Sequence, residues 1–157
     1  MERMIDTLTD RTDDLYERDF YEWSVDRAAR LREHRGSGLD WGNIAEEVES
    51  LGNRDRRNVA SRLTLIVLHL LKWTYQSEHR TRSWRLTLAT QRRDLNRVLE
   101  RSPSQKRFLD EDLERLWRDG VRDAARETGL PVETFPANPT HTLEQLLDPD
   151  LSPSEGE

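Results

Sequence analysis

The nine-residue run LTLIVLHLL, residues 63–71, puts apolar side chains on almost every side of one helix. A helix of that kind must be surrounded by other helices. It is also far too short to span a bilayer. The rest of the chain has to supply the cover, and it does so sparingly, with 34% hydrophobic and 36% charged residues. That balance would suit a disordered chain, but the apolar residues recur at helical spacing. Tyr16, Phe20, Trp23 and Leu31 lie on one stripe, with Arg27 among them. There is no strand-like alternation and no internal repeat.

These patterns predict an all-α, single-domain bundle of five main helices. The first runs over about 14–35 and is ended by the glycines of GSG (36–38). The second covers about 41–51, with Asp40 as N-cap and Leu39 and Ile44 as a hydrophobic staple. Its apolar face is Trp41, Ile44, Ala45, Val48 and Leu51, and Gly52 is expected to stop it. The third spans about 54–76 and the fourth about 82–100. In RSPSQ (101–105), Ser102, Pro103 and Gln105 read as a capping box with a proline start for a fifth helix over about 103–127. Gly120, in the middle of that helix's core face, suggests the close approach of a neighbour, because glycine otherwise costs a helix interior about 1 kcal/mol. Gly129 closes it. LPVETFPANP (130–139) should run extended over the surface, and TLEQLLD (142–148) should form a short capped helix. Residues 1–12 read as a frayed lead-in, 13–148 as the helical domain and 149–157 as a disordered acidic tail.

The segments LYERDFYEW, LDWGNIAEEVESLG, LIVLHLLKWTYQ, RSWRLTLATQRRDL and TGLPVETFPANPTHTLEQLLD occur in that order. They resemble the bacterial family of uncharacterised proteins called domain of unknown function 29, over about residues 14–148. The resemblance implies an all-helical fold and no particular activity, cofactor or substrate.

Charge is unevenly spread. Residues 54–101 hold 12 basic and 4 acidic side chains in a chain of net charge -6. On a helical wheel Arg82, Arg85, Arg92, Arg93 and Arg97 fall within an arc of roughly 140°, opposite Trp84, Leu88, Leu95, Val98 and Leu99. The arginines are therefore expected on the outer face of the fourth helix. There they either meet solvent and the chain's own acids or bind an anionic partner through Arg80, Arg82, Arg85, Arg92 and Arg93. Acidic overall charge and a tryptophan on the apolar side weaken a nucleic-acid reading. A second candidate polar site comprises His69, Glu47 and Arg27. His69 reads as a histidine bonded at a helix seam, with a general base or metal ligand as the alternative. Glu47 is expected to neutralise Arg27 among the aromatics of the first helix, while Glu46 and Glu49 point away.

The chain has no cysteine, which removes disulfides and thiolate chemistry. It has no Glu-x-x-His pair of the kind that di-metal bundles use, and no phosphate-loop, dinucleotide or zinc-protease motif. No catalytic residue, metal or cofactor is assigned. The N-terminal stretch lacks an apolar core of signal-peptide length, so a cytoplasmic chain without a membrane partner is expected. Two functions stay open. One is a protein-interaction or self-association module without catalysis. The other is a nucleic-acid-associated protein using the arginine face of residues 80–97. An enzyme or metal protein centred on His69 is a third, weaker alternative.

Overall fold

The computed structural model describes residues 14–34 and 38–151, and among them every regular element is helical. After a helical turn through 14–18 come α1 (Phe20–Glu33), α2 (Trp41–Tyr75), a 3-10 turn (Ser77–His79) and α3 (Arg82–Arg101). Then follow α4 (Ser104–Glu111), α5 (Leu113–Thr128), a second 3-10 turn (Val132–Thr134) and α6 (Leu143–Leu147). Residues 1–13, 35–37 and 152–157, which include all of the expected lead-in, part of GSG and most of the acidic tail, lie outside the described residues. The chain divides into two compact units. One is Met1–Asn58 with Val98–Lys106, and the other is Val59–Arg97 with Arg107–Glu157.

Three boundaries differ from expectation. Asp19 leaves helical geometry (φ -153°, ψ 99°) and becomes the N-cap of α1, accepting from the Glu22 N–H at 2.9 Å. The first helix therefore starts at Phe20 and ends at Glu33. Gly52 does not stop a helix: α2 runs straight through it for 35 residues, about 52 Å. Its role is steric, because a Cβ there would collide with the Ser24 hydroxyl and press on the Tyr21 ring of α1. The expected fifth helix is divided at Asp112 (φ -97°, ψ 5°) into α4 and α5.

In the first unit, Ser24, Ala28 and Ala45 are buried, and Arg32 pairs with Glu49 at 2.5 Å, joining α1 to α2. Asp40 caps α2 through Asn43 N–H as expected. Ile44 and Leu51 stay 37% and 41% exposed while Ala45 is buried and Trp41 and Val48 are half-buried, so the expected apolar face of this part of α2 is only partly covered, and Leu39 before it is 60% exposed. Ser102 does not cap α4 in the expected box. Its hydroxyl accepts from Tyr21 N–H at 3.2 Å, and Asp19 takes the Ser104 N–H and hydroxyl at 2.6 and 3.0 Å.

The second unit is built around the 63–71 run. Leu63, Ile66, Val67, Leu70 and Leu71 are buried, as are Leu116, Trp117 and Val121 of α5. Gly120 is the close-approach point that its sequence position suggests. A Cβ there would lie 2.6 Å from Val67 Cγ1 and 3.3 Å from the Thr64 carbonyl. Gly129 closes α5 in the left-handed region (φ 73°), donating to Ala125 O. The proline segment is anchored more firmly than expected: Phe135 is buried against Tyr75, and Trp117 Nε1–H donates to Pro136 O at 2.8 Å. α6 carries the Thr142–Gln145 capping box. None of the helices among the described residues is long and apolar enough to cross a membrane.

Candidate functional site

α3 is amphipathic, and its buried side is Leu88, Leu95 and Leu99. The opposite side carries Arg82, Leu86, Ala89, Arg93 and Arg97, all exposed. At 100° per residue these five fall in an arc of about 80°, a straight stripe about 22 Å long. Leu86, in the stripe's first turn, is 57% exposed. Arg93 stands 3.3 Å from its neighbour Asp94. Among the described residues, Arg82 and Arg97 have no carboxylate within ion-pair distance.

Arg92 departs from the expected outward set. It is 2% exposed, with Nε donating to Leu146 O at 2.9 Å and Nη1 to Leu151 O at 2.8 Å. Nearby, Asn96 donates to Leu147 O at 3.1 Å. The cause is visible on the wheel: Arg92 lies only about 20° from Leu99 and about 40° from Leu88, so it belongs to the buried edge. It caps the carbonyl end of α6, where a cation suits the helix dipole. Burial lowers the guanidinium pKa, and the Asp148 charge opposes that shift. Leu151, placed in the expected tail, is thus held to α3.

Arg80 and Arg85 both turn toward Trp73. The Arg80 Nε donates to Trp73 O at 2.9 Å, and its guanidinium carbon lies 5.1 Å from the Trp73 ring centre. The Arg85 guanidinium carbon lies 5.3 Å from the same ring. Trp73 is only 6% exposed, and among the described residues its Nε1–H has no acceptor; nor does the buried Nη2 of Arg80. Trp84 is half-buried, with Lys72 Nζ 4.5 Å above its ring and bonded to Glu127 at 2.9 Å. The Trp73 indole is buried, and the Trp84 indole carries Lys72 over its ring. The exposed arginines were legible in the sequence, whereas the orphaned indole was not. Its only signal was a tryptophan near the end of a helix, seven residues before the first of a run of arginines.

The second candidate set behaves differently. His69 donates Nδ1–H to Leu65 O at 2.8 Å within α2, and is half-buried. Desolvation is the main cause of its lowered pKa, helped by the Lys72 charge and opposed by the Leu65 bond and Glu127. Arg27 stands 3.7 Å from Asp26. The α1–α2 ion pair that is seen uses Arg32 and Glu49, so Glu49 does not point away as expected. Glu47 is exposed and, with Asp40, Asn43, Ile44, Val48 and Leu51, lines a shallow apolar groove. Among the described residues no three His, Asp or Glu side chains converge as metal ligands.

A family model described as "Domain of unknown function DUF29" matches residues 15–152. The chain also resembles an alpha-helical protein of unknown function from Rhodospirillum rubrum, known from its crystal structure. The two share 23% identity with a TM-score of 0.75, over 88% of this chain and 92% of that one. At that identity the likeness speaks for the fold alone. No curated protein matches. The chain belongs to the DUF29 family.

Proposed function

We propose that this DUF29 member is a non-catalytic cytoplasmic interaction module that self-associates head to tail, pairing a cationic face with an acidic one. The observation that carries the reading is the exposed stripe Arg82–Leu86–Arg93–Arg97, two of whose guanidinium groups have no carboxylate within ion-pair distance among the described residues. Acids outnumber bases in this chain, 31 to 25, so an exposed arginine had many internal partners to choose from. Arginine is weakly hydrated and suits interfaces. The complementary face is the groove on α2, where Ile44 and Leu51 are exposed beside Glu47 and Asp40. Among the described residues Glu47 has no cationic partner. One face is basic around Leu86 and the other acidic around Ile44 and Leu51. Two unlike faces of one chain give a heterologous contact.

Light scattering at low and high salt tests this with a charge swap. Wild-type protein should exceed the monomer mass at low salt and lose mass as salt rises. R82E/R97E and E47R should each be monomeric alone, and mixing the two should restore a one-to-one complex. A wild-type monomer at low salt would overturn the reading. The same stripe could track phosphates, as three exposed arginines on one helix face suggest. A nuclease-sensitive excess absorbance at 260 nm, lost in R82E/R97E, would replace self-association with nucleic-acid binding.

A further inference from the structure

We infer that the corner formed by Trp73, Arg80 and Arg85 is a binding site for a compact oxyanion of the phosphate class. Every unmet need at this corner is for an acceptor. Trp73 is buried, with only 6% of its surface exposed, and its indole N–H has no acceptor among the described residues. Arg80 spends Nε on the Trp73 carbonyl at 2.9 Å, which fixes its guanidinium beside the ring and leaves the buried Nη2 without a partner. Arg85 brings a second guanidinium to within 5.3 Å of the same ring centre, from the exposed surface of α3. Neither arginine has a carboxylate among the described residues.

A buried water fits this corner poorly. Water must donate as well as accept, whereas the unmatched buried atoms at this corner, among the described residues, are donors alone. An anion only accepts, and it also relieves the repulsion between two guanidinium groups gathered on one indole. Tetrahedral oxyanions match the arginine fork with two parallel bonds and keep oxygens for a third donor such as the indole N–H. Arg85, being exposed, forms the open side of the site, and Arg80 and Trp73 form its floor. This inference is independent of the proposed self-association, which rests on Arg82, Leu86, Arg97 and the α2 groove.

The test is the indole region of a proton–nitrogen spectrum, where five tryptophans give five signals and Trp73→Phe identifies the relevant one. Inorganic phosphate is titrated against chloride at constant ionic strength, with phenyl phosphate in parallel. A saturable shift of the Trp73 signal is expected, with the other four as a check on the fold. Arg85→Gln should weaken the midpoint about tenfold, or about 1.4 kcal/mol, while R97E leaves it unchanged. Equal midpoints for the two ligands would show that the phosphoryl group itself is recognised. Binding of inorganic phosphate alone would assign the site to the free ion. The inference is overturned if the Trp73 signal ignores phosphate, if Arg85→Gln shifts as the wild type does, or if the signal exchanges magnetisation with a bound water that phosphate does not displace.

Discussion

Two polar clusters of this chain answer the same physical demand in opposite ways. Around Asp19, the starts of α1 and α4 present backbone N–H groups, and one buried carboxylate accepts from Glu22 N–H, Ser104 N–H and the Ser104 hydroxyl. Ser102 returns the favour by accepting from Tyr21 N–H. Within these four bonds every donor has its acceptor, although the buried Nε2 of the adjacent Gln105 has no partner among the described residues. Around Trp73, two guanidinium groups and an indole N–H gather with donors to spare and, among the described residues, no carboxylate. Buried polar groups are ordinarily matched, so an imbalance of one sign marks where the molecule expects something from outside.

Substitutions can break this contrast, beginning with the largest effect. Asp19→Ala removes the acceptor shared by two helix starts and should cost about 2–3 kcal/mol in urea unfolding, since each cap contributes about 0.5–2. A loss below about 1 kcal/mol would mean that water replaces the carboxylate and that the cluster is not closed. Gly120→Ala drives a methyl group into Val67 Cγ1 and should cost about 1–3 kcal/mol, whereas Gly42→Ala, whose Cβ would meet only Asp40 at 3.8 Å, should be neutral or stabilising by under about 1 kcal/mol. Arg85→Gln should change stability by less than about 0.5 kcal/mol, because its partner is not in the fold.

The smallest expected effect is a pH slope from His69. Its folded pKa is lowered from 6.5 by burial, so the unfolded chain binds the proton more readily. The contribution of His69 is then complete above 6.5 and declines as pH falls from there through the lowered folded value. His69→Gln should flatten this part of the stability–pH curve. An unchanged slope would assign the acid sensitivity to other groups.

The helical class, the amphipathic face of α3, the Gly120 contact and the short capped helix at 142–148 were readable because each depends on local spacing. What was misread depends on contacts distant in sequence. Gly52 looks like a stop signal, yet in the fold it makes room for Ser24 and Tyr21. Ser102 looks like a local cap, yet its hydroxyl serves Tyr21, 81 residues away. Arg92 sits on the border between polar and buried arcs, and the carbonyls of Leu146 and Leu151 draw it inward. The exposed members of the arginine set were legible from charge and period. The unmatched donors at Trp73 were not, because a missing acceptor is visible only once every neighbour is placed.

The contrast between a closed and an open polar cluster is tested most directly by thermal unfolding of wild-type protein and Arg85→Gln in chloride and in phosphate at equal ionic strength. A ligand that binds only the folded state raises the melting temperature with its concentration. Phosphate should raise the wild-type Tm progressively and leave that of Arg85→Gln near its chloride value. Equal rises in both proteins, or none in either, would contradict an open cluster at Trp73.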